Sequence, residues 1–156
     1  MPEQLRPQRR SRRVAMAPDE VDAYLAEQRT CRVATTSEQG PHVTALWFVW
    51  HDRAVWLYSI TDSQRWVDLN RDPRVAVLVD SGHDYLELRG VEITGTAEVV
   101  GEVPRTGADQ PELAEPEALF ARKYFDLDAM PYDGRHAWLK VTPNKIASWD
   151  FRKMRG

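Results

Sequence analysis

Along most of this chain apolar and polar residues alternate one by one, the period of a half-buried strand. The alternation runs through RVATTS (32–37), HVTALWFVW (42–50), AVWLYSI (54–60), RVAVLVD (74–80) and the long stretch DYLELRGVEITGTAEVV (84–100). It returns in HAWLKVTP (136–143) and KIASWDF (145–151). EQGP (38–41), His51-Asp52-Arg53 and Ser81-Gly82-His83 supply turns, the second short enough for a tight hairpin. Gly90 and Gly95 interrupt the longest run and predict bulges or bends.

Three segments follow a helical period instead. One, at 18–29, opens on Ala17-Pro18-Asp19-Glu20, with proline in the first turn and acids at the positive end of the helix dipole. Its stripe is Val21, Tyr24, Leu25 and Gln28. A second, at 62–72, carries Trp66, Val67 and Leu69 and stops at Asp72-Pro73. A short third starts at Pro116-Glu117 and ends near Tyr124 or Phe125, after an exposed loop at 101–116 rich in Pro, Gly and acids. Six or seven short strands with little helix predict an all-β fold, an antiparallel barrel or sandwich. Parallel βαβ alternation, GxGxxG and P-loop motifs are missing, which excludes a Rossmann enzyme.

Composition narrows this picture. The 156 residues suit one domain. A lone Cys31 excludes a disulfide framework and a thiolate zinc cage, and fits a reducing cytoplasm, the expected location. No apolar run approaches the roughly 18–20 residues of a membrane span, and the N-terminus lacks the apolar stretch of a secretory signal. The net charge of −3 divides unevenly: residues 1–16 hold five arginines (Arg6, Arg9, Arg10, Arg12, Arg13) against Glu3, and the remainder is net acidic. Residues 1–16 are therefore expected to form a flexible basic arm, and 17–156 the folded domain. An acidic body offers little to nucleic acid, whose phosphates need a basic surface.

Chemistry has few candidates. His42, His51, His83 and His136 are scattered without metal-ligand spacing, and no metal site is expected. There is no GxSxG elbow, and Cys31 reads as a small core residue. The informative stretch is Tyr58-Ser59-Ile60-Thr61-Asp62-Ser63-Gln64-Arg65-Trp66, where a strand ends in hydroxyls and a helix begins with a cation in its first turn. Free N–H groups at such a junction attract a phosphate, and Ser59, Thr61, Ser63 and a surface-lying Arg65 would add donors. An ordinary helix capped by Asp62 or Ser63 would read the same way.

Residues 34–80, ATTSEQGPHVTALWFVWHDRAVWLYSITDSQRWVDLNRDPRVAVLVD, with DYLELRGVEITGTAEVV and the ending TPNKIASWDFRK, carry a resemblance. In that order the chain resembles the FMN-binding split barrels of the pyridoxamine-phosphate-oxidase-like superfamily, and especially its actinobacterial flavin and deazaflavin oxidoreductases. The resemblance covers nearly everything after residue 17. It implies an antiparallel split β-barrel with peripheral helices, a homodimer, and two cofactors in grooves between the subunits. The expected cofactor is the deazaflavin coenzyme F-420, with FMN as the alternative, passing a hydride to a small electron-poor acceptor such as an enone or quinone. A non-catalytic split barrel holding flavin or haem is the competing class.

Position by position, Val43, Thr44, Ala45 and Leu46 match the strand facing the ring, and Ser59, Ile60 and Thr61 match the edge of the next. Ser63, Gln64 and Arg65 match the phosphate-binding helix start, although Gln64 stands where relatives usually carry a second cation. Trp138 or Trp149 from the partner subunit is expected to wall the ring. The ending SWDFRKMRG lacks the tryptophan–arginine signature that holds a pyridoxal phosphate ring, so vitamin B6 oxidation is not expected. No acid–base residue is assigned. The basic arm is expected to fold over the glutamate tail that distinguishes F-420 from FMN.

Overall fold

The computed structural model describes residues 4–155. In chain order the elements are α1 (Pro18–Glu27), β1 (Thr30–Ser37), β2 (Gly40–Trp47), β3 (Val49–His51), β4 (Ala54–Ile60), α2 (Gln64–Arg71), β5 (Arg74–Ser81), β6 (Arg89–Val100), α3 (Ala114–Phe120) and β7 (His136–Asp150). A wider π-type turn, Ala121–Phe125, extends α3. The strands form one antiparallel sheet in the order β2-β1-β5-β6-β7-β4-β3. It curls into a split barrel, as expected, and the margin strand β2 and β4, which lies beside the short margin strand β3, meet over α2.

Alternation sorts the apolar residues into two cores. Val33, Val55, Leu57, Val77, Ile93 and Leu139 fill the barrel, which Trp66 and Leu69 of α2 and Tyr24 and Leu25 of α1 close. On the outer face of β4 and β7, Trp56 and Trp138 pack against Phe120, Leu113 and Met130. The middle of β4 is thus buried on both sides, which accounts for its unbroken apolar run.

Three boundaries differ from the sequence reading. HVTALWFVW breaks at Phe48, because its buried ring turns inward and its N–H donates to the Tyr124 hydroxyl (3.0 Å) instead of a strand. The last two strands are one. Pro143 has no N–H to give, and Asn144 is the extra residue of a bulge opposite Thr94 and Gly95, so pairing resumes beyond it. A side chain at Gly95 would overlap the Thr142 carbonyl, which explains the glycine. Tyr85–Glu87 forms a 3₁₀ turn instead of extending β6.

The expected free arm is docked. Arg6 N–H donates to the Asn144 carbonyl (2.9 Å), Gln8 exchanges two hydrogen bonds with the Ser148 backbone (2.9 Å each), and Met16 N–H donates to Ser148 Oγ (2.8 Å). Val14 is buried. Amide pairs along β7, one apolar anchor and a hydrogen bond from the Arg6 guanidinium to Asn144 Oδ1 (3.2 Å) hold this strip.

A polar network secures α3. The buried Glu117 carboxylate accepts from Arg105 Nε (2.9 Å) and Nη2 (3.1 Å), Trp138 Nε1 (2.9 Å) and the Tyr132 hydroxyl (2.8 Å). Removing one partner of a buried ion pair strands the other charge. Glu117→Ala is therefore expected to cost about 3–5 kcal/mol, at the lower end because Glu102 also accepts from Arg105 Nη1 (2.9 Å). Urea unfolding checks this; a loss near zero would show that the network carries no stability.

Candidate functional site

The site grows from the junction of β4 and α2. Ser63 Oγ accepts from Trp66 N–H (3.2 Å), so Ser63 is the cap. The N–H groups of Gln64 and Arg65 have no partner among the described residues. Two adjacent side chains then diverge. Gln64 donates to Asp68 Oδ1 (2.7 Å), a buried carboxylate that also accepts from Thr35 Oγ1 (2.7 Å). Arg65 turns inward, between β2 and β4.

Arg65 is only 8 % exposed, which corrects the expected surface position. Its Nη1 donates to Thr44 Oγ1 on β2 (2.6 Å) and its Nε to Ser59 Oγ on β4 (3.2 Å). No carboxylate lies within ion-pair distance of it among the described residues, unlike the doubly paired Arg105. Burial pulls its pKa below the ordinary arginine value but not out of the charged state. A buried cation with only neutral partners is costly unless an anion completes it.

Beside this guanidinium lies a groove of about 380 Å³. Ala45, Leu46 and Trp47 of β2 form one wall, and Tyr58 and Ile60 of β4 another. Phe120 and Phe125 close the apolar side, while Asp133 and His136 bring polar groups. Trp47 stacks on Tyr124 (4.4 Å between centroids, 10°) and Tyr58 on His136 (4.7 Å, 12°). Beyond Gln64 a larger recess of about 680 Å³ is lined by His42, Asp68 and Arg71. A shallower one, sharing Pro41 with it, brings Arg6 beside Arg74.

The structure divides the residues singled out above. Ala45, Leu46, Ile60 and Arg65 line the groove together. Thr44 and Ser59 stand behind Arg65 as its hydrogen-bond partners. Val43 alternates to the outside of β2, 64 % exposed. Thr61 N–H is held by the Arg135 carbonyl (3.0 Å). Trp138 is sealed in the core with its indole N–H on Glu117, because β7 turns that position toward α3; it cannot wall a ring. Trp149 covers Gly90 at the far end of β7, so within one chain it is no groove residue.

Trp47, Tyr58, Phe120, Phe125, Asp133 and His136 were not anticipated. The i, i+4, i+5 aromatic spacing of Phe120, Tyr124 and Phe125 was a usable signal. Nothing local marks Asp133 and His136. Cys31 is buried, which pushes its thiol up to about 12, so it is no nucleophile. No cluster of three or more metal-ligating side chains occurs among the described residues.

Tyr58 Oη is buried without a hydrogen-bond partner among the described residues. Burial first, then the nearby Asp133 and Glu117 charges, push its pKa up, so it stays a neutral phenol. An unmade bond of this kind costs about 1–3 kcal/mol. Tyr58→Phe is expected to raise stability by about 1 kcal/mol in urea unfolding; a loss instead would mean that the hydroxyl is bonded.

Comparison with known proteins follows the same lines. The family model for pyridoxamine 5'-phosphate oxidase matches residues 17–150. A conserved hypothetical protein from Mycobacterium tuberculosis is similar in structure, with a TM-score of 0.80 and 28 % identity over 96 % of this chain and 94 % of that one. A FAD-binding protein from Mesorhizobium loti gives 0.65 and 17 %, covering 86 % and 93 %. An F-420 reductase gives 0.58 and 20 %, covering 80 % and 94 %. No curated protein matches in sequence.

Proposed function

We propose that this chain, which belongs to the pyridoxamine 5'-phosphate oxidase family, binds the deazaflavin coenzyme F-420 beside Arg65 and works as an oxidoreductase. FMN is the alternative cofactor. The observation that carries this reading is the buried Arg65 guanidinium, fixed by two hydroxyls and left without a carboxylate. Such a group, together with two free N–H donors at the start of α2, suits a phosphate. The aromatic and aliphatic walls suit a flat ring and exclude water from it.

When bound, the coenzyme supplies a hydride for an electron-poor acceptor, an enone or a quinone. The chain's own share is placement. Arg65 holds the anionic end, Ala45, Leu46 and Ile60 flank the ring, and Trp47 and Phe125 shield it. Arg71 lines the adjoining recess together with Glu38 and Asp68, and Arg74, paired with Asp72, lines the next with Arg6. F-420 is placed before FMN because the fold is shared with an F-420 reductase.

Arg65→Ala is expected to weaken coenzyme binding by about 1.5–3 kcal/mol, the loss of a charged hydrogen bond, or roughly tenfold to hundredfold. Fluorescence quenching of F-420 and of FMN, with thermal melting as the folding control, measures this. Unchanged affinity for both in a folded variant would place the anion elsewhere.

Assembly as a homodimer is part of the proposal. The free edge of β2 presents Val43 and Trp47 outward, 64 % and 41 % exposed, next to the groove. An apolar sheet edge of this kind normally meets a partner. Sedimentation of the parent protein is expected to give a dimer, and Val43→Asp a shift toward monomer. A parent that is monomeric at micromolar concentration while holding coenzyme would rule the dimer out.

A further inference from the structure

The hydride reading leaves the proton unassigned, and the groove contains a built pair that no step above uses. Asp133 Oδ1 accepts the N–H groups of Arg135 (2.9 Å) and His136 (3.2 Å), a local turn that fixes the carboxylate. Its second oxygen, Oδ2, lies 2.6 Å from His136 Nδ1. The imidazole is also held in plane, stacked on Tyr58 at 4.7 Å and 12°. Two constraints therefore define one ring orientation. Nδ1 faces the carboxylate at ion-pair distance but without hydrogen-bond geometry, Nε2 has no hydrogen-bond partner among the described residues, and both His136 and Asp133 line the groove.

We propose that His136, oriented by Asp133, is the proton donor of this groove and takes a carbonyl oxygen of the acceptor at Nε2. The proposal rests on the hydride reading above. An anionic carboxylate beside Nδ1 favours a proton on that nitrogen, so the proton given up at Nε2 is the second one, carried by the imidazolium. Desolvation alone would raise the Asp133 pKa, but the Arg135 N–H and the His136 imidazole hold it below the usual carboxylate range, so it stays anionic. The charged and titratable groups around the imidazole are Asp133 and Arg135 from the preceding loop, Tyr58 from β4 and Arg65 from α2. Arg105 and Glu117, paired with each other, lie behind Tyr58. Only Asp133 among them reaches the imidazole within ion-pair distance.

The step balances as follows for an enone. A hydride adds to the β-carbon, forming a C–H bond, and the C=C electron pair moves to make an enolate. The Nε2–H bond breaks and an O–H bond forms, giving an enol that becomes the ketone in water. The acceptor gains the two electrons that the reduced deazaflavin loses. Neutral His136 then regains a proton from solvent at the groove mouth.

The test needs no coenzyme. p-Nitrophenol is a flat phenol whose anion mimics the enolate oxygen and absorbs visibly. Added to the full-length protein below its own pKa, it is expected to bind as phenolate, with the visible band appearing at saturation. His136→Gln is expected to weaken that binding at least tenfold and abolish the band, and Asp133→Asn to weaken it by a smaller factor. Thermal melting of both variants checks that they fold, and F-420 quenching by the parent tests the hydride reading separately. If His136→Gln does not fold, Asp133→Asn alone decides. Equal phenolate binding by parent and variants, or a parent that never shows the band, overturns the assignment. Absence of coenzyme quenching in the parent overturns the hydride reading instead, and the phenolate result then stands apart from it.

Discussion

A single guanidinium occupies the seam where the sheet fails to close. Arg65 spans the gap between β2 and β4 through Thr44 and Ser59, two short side chains on strands that never pair with each other. Everything near the groove depends on this. The cation holds the two strands at a fixed separation, and the separation defines the width available to a flat ring. The same charge, buried without a carboxylate, creates the demand for an anion. One residue therefore bridges the two strands and is the group that the proposed coenzyme would complete.

The surrounding architecture keeps that demand from being met internally. Several buried or partly buried carboxylates are engaged elsewhere: Asp68 by Thr35 and Gln64, Asp72 by Arg74, and Glu117 by Arg105, Trp138 and Tyr132. Asp133, the carboxylate that does enter the groove, is tied to its own loop and to His136. Among the described residues these carboxylates are thus held by other partners, and none reaches Arg65. Aromatic stacking on both sides, Trp47 on Tyr124 and Tyr58 on His136, gives the groove rigid walls without adding charge.

How much of this the sequence reveals follows from the range of each interaction. Alternating strands, the helix starts at Pro18 and Ser63, and the stop at Pro73 are local, and they were legible. So was the importance of the β4–α2 junction, since hydroxyls and a cation lie within seven residues there. The direction of Arg65 was not. A first-turn arginine reads as exposed unless one knows that β2 and β4 meet above it. Trp138 failed for a related reason: alternation assigns it a face, but only the packing of α3 decides that this face is core. The docking of residues 4–16 depends on amide pairs from Gln8 to β7, which composition cannot show beneath five arginines. His136 and Asp133 acquire meaning only beside Tyr58, some seventy-five residues earlier in the chain.

The most direct measurement is a crystal structure of the protein with its coenzyme bound. The account predicts an anionic oxygen of the coenzyme within hydrogen-bond distance of the Arg65 guanidinium, and the ring against Ala45, Leu46 and Ile60. A coenzyme bound on another face, with Arg65 still contacting only Thr44 and Ser59, would contradict it.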